Sequence, residues 1–377
     1  MKTRAAVIYG VNEEWQIKDV ELDGPKAGEV LVKSHAAGLC HSDEHIVTGD
    51  LGSADPENSI FPCIGGHEGS GVVMEVGDGV TDFEVGDHVA VSFVPACGKC
   101  RWCASGMQNL CDQGAGTMGR GMITDGRSAH TGPDGEEIYC MAKLGTFAEH
   151  MLVGEDSLVK VDKDLPLVPV ALVSCGVATG YGSAVNRAEV KAGDTVVVVG
   201  CGGIGSNALQ GARVAGAKNI VAVDLAEFKR EKAVEFGATH TAASMEEAME
   251  LVGGLTEGVM ADKVILAPGV VTGDLIAPAQ FLTRKGGTIV VTGLAPMMQM
   301  DVQLNLFEFA MMNKEIKGTI FGSDSPRRAV PRLLSMYQAG QLKLDELVTE
   351  TYTLDEINQG YQDMRDDKNI RGVIVFD

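Results

Sequence analysis

The stretch "KAGDTVVVVGCGGIGSNALQGARVAGAKNIVAVD", residues 191–224, decides the fold of this chain. Thr195 to Val199 form a run of β-branched residues, which is typical of a strand covered on both faces. A glycine turn follows, then small residues at helical spacing, and then a second apolar run over 219–223. The order strand, turn, helix, strand predicts a parallel βαβ unit.

The glycine turn carries the spacing G-x-G-x-x-G at Gly200, Gly202 and Gly205. The first glycine of such a turn makes the bend, the second lets a pyrophosphate approach the backbone, and the third allows the helix to pack closely on the sheet. The second strand ends at Asp224, where a carboxylate binds the ribose diol of a dinucleotide. Because that carboxylate repels a 2′-phosphate, the pattern favours NAD over NADP.

The remaining segments predict a chain with two different halves. Residues 261–269, 286–294 and 314–321 are patterned as further buried strands, so the sheet is expected to be doubly wound and parallel. Before residue 176 the runs are short and rich in β formers, and the closing run 370–377 is expected to return as a strand to that first part. The predicted fold class is α/β.

The charge and hydropathy of the chain indicate which classes of binding partner to expect and where the protein is located. The 377 residues contain 31 Lys+Arg against 52 Asp+Glu, a formal net charge of −21, which argues against nucleic-acid and anionic-membrane partners. The N-terminal segment has no apolar h-region, so a cytoplasmic protein is expected. Residues 165–186 carry no charge but contain prolines and glycines, and we expect a buried segment there and not a membrane span.

Four cysteines lie close together in "PACGKCRWCASGMQNLC", residues 95–111. A thioredoxin-like redox pair would leave two of them unexplained, and a bacterial iron–sulfur site places its fourth cysteine three residues after the third, before a proline. Four thiolates from one loop close a tetrahedron around zinc with no free position. The spacing therefore predicts a structural zinc site at Cys97, Cys100, Cys103 and Cys111.

A second set of metal-binding residue types is scattered along the chain. "GLCHSDEH" (38–45) contains Cys40, "GGHEGSG" (65–71) contains His67, and "SCGVATGYG" (174–182) contains Cys175. Two thiolates and one imidazole balance the charge of Zn²⁺ and leave a fourth position open, as in a catalytic site. Taken singly, each residue also fits an ordinary packed position, so the spacing alone leaves both interpretations open.

Over nearly its full length the chain resembles the zinc-dependent medium-chain alcohol dehydrogenases, most closely their class III-type branch. The motifs that carry the resemblance are "GLCHSDEH", "FPCIGGHEGSG", "CGKCRWC", "CGVATGYGSAV", "GCGGIG" with "VAVD", and "IFGSDSPRRAVPRLL". The resemblance implies a GroES-like, mostly-β catalytic domain from residues 1–176 and 322–377. It implies a Rossmann NAD-binding domain over 177–321.

The resemblance also implies a role for each matching site residue. Cys40, His67 and Cys175 match the catalytic zinc ligands, so two zinc ions per chain are expected. Near the metal, Glu68 matches a nearby carboxylate and Asp43 matches the acid that orients His67. Ser42 and His45 match the route of the alcohol proton, with the nicotinamide ribose between them. Phe93 matches a wall of the substrate pocket. The expected NAD contacts are His41, Gly200, Gly202, Gly203, Ile204, Gly205, Asp224, Lys229, Thr292, Gly293, Leu294 and Arg371.

Two positions depart from the family pattern. His41 stands where many members carry Arg against the pyrophosphate. Ala115 stands where the glutathione-dependent formaldehyde dehydrogenases carry Arg, although "ADPEN" (54–58) resembles that class. The segment "SADPENSIFPCIGGHEG" (53–69) resembles the sequences of the NDMA-dependent alcohol dehydrogenases of actinobacteria. In those enzymes NAD(H) stays bound and an external acceptor reoxidises it.

Three functional interpretations follow. The preferred one is a zinc alcohol dehydrogenase that oxidises primary alcohols to aldehydes, reversibly, with NAD either retained or exchangeable. The second is a glutathione-dependent formaldehyde dehydrogenase, and the third is a non-catalytic NAD-sensing protein on the same scaffold. The family further implies a homo-oligomer, either a dimer or a tetramer.

Overall fold

The computed structural model describes residues 1–51, 59–116 and 119–377, so the "ADPEN" run lies outside the described residues. The strands are β1 Lys2–Ile8, β2 Gln16–Leu22, β3 Glu29–Gly38, β4 Cys63–Ile64, β5 Gly69–Val76, β6 His88–Val91, β7 His130–Thr131, β8 Glu137–Cys140, β9 His150–Gly154, β10 Leu158–Val161, β11 Thr195–Val199, β12 Asn219–Val223, β13 His240–Ala242, β14 Ala261–Leu266, β15 Thr283–Val291, β16 Glu315–Gly318, β17 Val348–Tyr352 and β18 Arg371–Val375. The α-helices are α1 His41–Val47, α2 Arg101–Ala104, α3 Leu167–Leu172, α4 Ala178–Gly182, α5 Gly203–Val214, α6 Glu227–Glu235, α7 Met245–Leu255, α8 Ile276–Leu282, α9 Leu306–Met311, α10 Pro326–Gln338 and α11 Ile357–Arg365.

The second half of the chain forms a parallel sheet in the order β13-β12-β11-β14-β15-β16. The run of β-branched residues 195–199 is the central strand β11, which pairs in parallel with β12 and β14 and is fully buried. The glycine turn follows with Gly200 at φ +86°, a conformation that glycine adopts without steric cost. Helix α5 then begins at Gly203, so the predicted βαβ unit and the doubly wound parallel sheet are confirmed.

The first half is mostly β, as predicted. Strands β1, β2, β7, β8 and β4 close a barrel, and a second sheet has the order β10-β6-β5-β3-β18-β17, with β9 also pairing with β3. Its strand β18 comes from the C-terminal end of the chain and pairs antiparallel with β3, with Val373 opposite Gly38. The predicted return of residues 370–377 to the first half is therefore confirmed.

The uncharged run lies inside the molecule. Leu167–Arg187 is long and apolar enough, by length and composition, to cross a membrane, but 89% of its most apolar window is buried. It is a continuous helical segment in which π-helical turns at Val173–Val177 and Ser183–Arg187 flank α4. A Cβ added at Gly180 would lie 2.1 Å from the Ile204 carbonyl oxygen, so α4 and α5 are in direct contact. This is the packing of a core helix.

Three predicted strands end too late: 261–269 ends at Leu266, 286–294 begins earlier at Thr283 and ends at Val291, and the third is 314–321. The pattern predicts strand over 314–321, whereas β16 ends at Gly318. Beyond it, Phe321 and Ser323 adopt positive φ angles of 52° and 55°, which a strand does not allow. The turn that results brings Ile320 and Phe321 to the wall of a cleft of about 660 Å³ (the main cleft), which lies at the carboxyl ends of the parallel strands.

Candidate active site

Four side chains from distant parts of the chain meet beside the main cleft. They are Cys40, the residue before α1, His67 and Glu68 from the loop between β4 and β5, and Cys175 from the first π-helical turn. Their ligand atoms all lie within 4.8 Å of one another, and all four residues are buried. Within the described part of the chain, His67 Nε2 is buried with no hydrogen-bond partner. A buried, unpartnered nitrogen among thiols fits a zinc site.

The imidazole of His67 is fixed from its other side. Its Nδ1 lies 3.2 Å from Asp43 Oδ2 and 3.3 Å from Oδ1, and Asp43 Oδ1 also accepts a 2.8 Å hydrogen bond from the Gly66 N–H. Burial lowers the pKa of His67, but Asp43 and Cys40 together raise it well above its ordinary value. Because Nδ1–H is donated to the carboxylate, Nε2 is the nitrogen that faces the thiols.

The two thiols of the cluster are electrostatically unequal. The hydrogen bond from Cys175 holds the pKa of Cys40 well below its ordinary value, and the charges of His67 and Arg371 lower it further against the effect of burial. The same hydrogen bond, together with burial, raises the pKa of Cys175 well above its ordinary value. A bound Zn²⁺ would hold both sulfurs as thiolates, so metal binding would release any proton that they carry.

Glu68 forms a buried ion pair with Arg371. Both guanidinium Nη atoms contact its carboxylate, one at 3.2 Å, and the Gly176 N–H donates to Oε1 at 3.1 Å. Burial raises the pKa of Glu68 to about 6, against the lowering effect of Arg371. A Cβ added at Gly203 would lie 2.3 Å from Arg371 Cδ, so this arginine lies between the metal-ligand cluster and the glycine turn.

A hydroxyl and a second histidine lie on α1 beside the cluster. Ser42 Oγ is 3.7 Å from Cys40 Sγ. His45 Nδ1 lies 2.9 Å from Asp50 Oδ2, and its Nε2 lies 3.1 Å from the carbonyl oxygen of Gly269. Ser42, His45 and Gly269 all line the cleft, and burial lowers the pKa of the neighbouring His41.

The cleft has a volume of about 660 Å³ and runs from the thiols to the carboxyl ends of the parallel strands. The predicted cofactor contacts that line it are His41, Gly200, Gly202, Gly203, Ile204, Asp224, Lys229, Thr292, Gly293, Leu294 and Arg371. Gly205 does not line it, because this glycine faces the strand, where a Cβ would lie 1.8 Å from the Gly200 carbonyl oxygen. A crevice outside the carboxyl ends of parallel strands is where this kind of fold binds dinucleotides.

Asp224 stands at the end of β12, on the wall of the cleft. Its carboxylate accepts hydrogen bonds from the backbone N–H groups of Cys201 at 2.7 Å and Ala226 at 2.9 Å. These bonds fix the carboxylate at the glycine turn, and each oxygen keeps further acceptor capacity for a ribose hydroxyl.

Sequence reasoning predicted one aromatic wall of the pocket but missed other residues that line the cleft. Phe93 is predicted as a pocket wall, and its ring packs edge-on at 5.6 Å from both His67 and Phe321. Phe321 and Thr179 also line the cleft, as does Asp367 from the turn after α11. Phe321 and Thr179 occur within quoted motifs, whereas no local pattern marks Asp367.

The four clustered cysteines form a separate centre. The Sγ atoms of Cys97, Cys100, Cys103 and Cys111 lie within 4.8 Å of one another. Backbone N–H groups of Cys103 and Asp112 point at Cys100 Sγ, each at 3.5 Å, and the bond from Asp112 is the main reason why the pKa of Cys100 is lowered to about 6. Thiolate-stabilising amides around four close sulfurs fit a closed zinc site.

Two family models match the chain. The alcohol dehydrogenase GroES-like domain matches residues 26–163, and the zinc-binding dehydrogenase model matches residues 203–339.

Three known proteins illustrate the similarity. An NDMA-dependent alcohol dehydrogenase of Amycolatopsis methanolica is 50% identical over 375 residues, covering 100% of this chain and 99% of that protein. An S-(hydroxymethyl)glutathione dehydrogenase of Paracoccus denitrificans is 37% identical over 385 residues, covering 100% of both chains. The crystal structure of benzyl alcohol dehydrogenase from Acinetobacter calcoaceticus is similar at a TM-score of 0.90 and 29% identity, with 100% of both chains covered.

Proposed function

The chain belongs to the zinc-dependent medium-chain alcohol dehydrogenases, and we propose that it oxidises primary alcohols to aldehydes, reversibly, at the cluster of Cys40, His67 and Cys175. As a member it is an oxidoreductase acting on CH–OH groups, with zinc and a nicotinamide dinucleotide as cofactors. The observation that carries the assignment of the site is His67 Nε2, which has no hydrogen-bond partner among the described residues and lies beside two thiols at the wall of the cleft.

The residues of the chain divide the work of the reaction. When bound, zinc supplies Lewis-acid chemistry and the nicotinamide supplies a hydride acceptor. Cys40, His67 and Cys175 hold the metal, and Asp43 fixes the tautomer of His67. Ser42 accepts the alcohol proton while its own hydroxyl proton leaves toward His45, and the nicotinamide ribose would lie between the two side chains when bound. His45 Nδ1 lies 2.9 Å from Asp50 Oδ2, and this partly exposed carboxylate completes the route to solvent. The packed rings of Phe93 and Phe321 line the inner wall of the pocket and exclude water there.

The glutathione-dependent alternative is the weaker one. The formaldehyde-dehydrogenase relative is 37% identical, against 50% for the NDMA-dependent relative, over chains of the same coverage. Ala115 replaces the expected arginine of that class. The experiment that separates the two compares formaldehyde oxidation with and without glutathione, beside oxidation of a panel of primary alcohols. Alcohol oxidation with no glutathione effect supports the proposal, and strong acceleration by glutathione would overturn it.

We further propose that NAD(H) stays bound as a prosthetic group and that an external acceptor reoxidises it. The support is the likeness over the full chain to an NDMA-dependent enzyme. The carboxylate of Asp224 at the ribose end favours NAD over NADP.

We also propose that the chain binds two metal ions, the second held by Cys97, Cys100, Cys103 and Cys111. We further propose that it divides into a catalytic domain (1–176 and 322–377) and a coenzyme domain (177–321).

An apolar surface supports a homo-oligomer. Met298 is 80% exposed and Met300 is 88% exposed, and Phe307 and Met311 on the following segment are also exposed. These side chains lie in the segment before β16, which is the outermost strand of its sheet. Several exposed apolar side chains near the edge of a sheet favour an association surface. Light scattering of the purified protein tests the proposal, which a monomer would contradict.

A further inference from the structure

The outer part of the cleft is bounded by two walls that come from distant segments of the chain. One wall carries Asp224 and Lys229, at the end of β12 and on α6. The other carries Met364, Asp367 and Asn369, from the end of α11 and the turn that leads into β18. A dinucleotide lying along the carboxyl ends of the parallel strands would pass between these walls with its adenosine ribose at Asp224.

One ion pair joins the two walls directly. The Lys229 ammonium contacts Asp367 Oδ1, although the residues are separated by 138 positions in sequence. The Lys229 side chain is only 14% exposed, whereas that of Asp367 is 53% exposed. The lysine therefore lies inside the cleft wall, and the carboxylate closes over it from the solvent side.

The neighbouring acid makes a different set of contacts. Asp366 pairs with Lys368 at 2.9 Å and accepts a hydrogen bond from Gln362 at 2.8 Å, both within its own segment. Asp367 has a positive φ of 55°, and its N–H donates to the Met364 carbonyl oxygen at 3.2 Å, so a turn separates it from α11. Of these two adjacent carboxylates, Asp367 is the one that contacts the opposite wall.

We infer that Asp367 is a positioning residue for Lys229 and that their ion pair ties the cleft walls together beside the adenosine ribose, which slows release of the cofactor. The inference rests on the proposed function, because it takes Lys229 as a contact of that ribose. The ion pair would contribute to retention by holding the two walls together beside the bound ribose. An ion pair of this partial exposure is expected to change the release rate by roughly two- to fivefold, and less at high salt.

The test measures NADH release from the loaded enzyme. Protein saturated with NADH is mixed with excess NAD, and the loss of bound-NADH fluorescence gives the dissociation rate for wild type, Asp367→Asn, Asp367→Glu and Asp366→Asn. Asp366→Asn is the matched control, because it removes the same charge one residue away without contacting Lys229. We expect Asp367→Asn to release NADH roughly two- to fivefold faster, while Asp367→Glu and Asp366→Asn release it at the wild-type rate.

The outcomes separate this inference from the proposal of a retained cofactor. An unchanged or slower release from Asp367→Asn, with an unchanged unfolding temperature, overturns the role of Asp367, and a slower release would mean that the carboxylate competes with the cofactor for Lys229. Faster release from Asp366→Asn to the same degree would reduce the effect to general charge and also overturn it. Loss of cofactor from wild type on desalting contradicts retention alone, because the rates are compared on protein loaded with NADH.

Discussion

The carboxylate of Asp43 and the imidazole of His67 face each other at 3.2 Å in a pocket where both side chains are almost fully buried. Asp43 comes from α1 and His67 from the loop before β5, so the contact joins two segments that each carry site residues. It leaves His67 Nε2 as the nitrogen available to a metal. The contact therefore sets the orientation of the one nitrogen ligand in the proposed zinc site.

Replacing Asp43 with Asn is expected to weaken zinc binding. The amide retains an oxygen that accepts the Gly66 N–H, but it lacks the charge that fixes the His67 tautomer. Loss of such an outer partner costs roughly 10- to 100-fold in metal affinity. Competition with a chelator, followed by metal analysis, measures the change. Zinc retention equal to that of wild type would contradict the assignment.

The two cysteine centres are expected to respond differently to substitution. Cys40→Ala should remove one equivalent of zinc and abolish turnover while leaving the unfolding temperature close to wild type. Cys103→Ala should also remove one equivalent, but it should lower the unfolding temperature, because the loop over 95–111 loses its cross-link. Metal analysis and thermal unfolding of both variants check this. Equal zinc content in wild type and Cys103→Ala would contradict the assignment of a structural zinc site to these four cysteines.

The glycine turn allows a test that separates cofactor binding from folding. A Cβ added at Gly202 meets no atom of the described residues within 4 Å, whereas one added at Gly205 would lie 1.8 Å from the Gly200 carbonyl oxygen. Gly202→Ala should therefore weaken NADH binding with little effect on stability, and Gly205→Ala should destabilise the protein itself. NADH titration and unfolding of the cofactor-free variants distinguish the two. Wild-type NADH affinity in Gly202→Ala would place the pyrophosphate elsewhere.

His130 is expected to make stability depend on pH. Burial lowers the pKa of His130 from 6.5 to about 4, so between these values the unfolded chain binds the proton and the folded one does not. Stability therefore falls as the pH decreases through this window, by up to about 3 kcal/mol. His130→Gln should flatten the pH dependence of stability in that window. Identical pH dependence in wild type and His130→Gln would refute this.

Local patterns predicted the elements whose signal is contained in a short segment. The β-branched run 195–199, the glycine turn and the four cysteines of 95–111 each report their structure within a few residues. The meeting of Cys40, His67 and Cys175 is a tertiary event between segments more than 25 residues apart, so spacing left it open and only the family resemblance proposed it. The Lys229–Asp367 contact has no sequence signal, because the residues are 138 positions apart and neither lies in a pattern that selects the other as its partner. The end of β16 was misplaced since positive φ at Phe321 is not encoded by a glycine.

The most direct test of the account is the near-ultraviolet spectrum of the desalted protein, recorded before and after a primary alcohol is added with NAD present, for wild type and for Cys40→Ala. The account predicts that the reduced-nicotinamide band rises in wild type and stays unchanged in Cys40→Ala, although both bind NADH. A rise of equal size in both proteins would show that hydride transfer does not depend on the cluster of Cys40, His67 and Cys175, and would contradict the central claim.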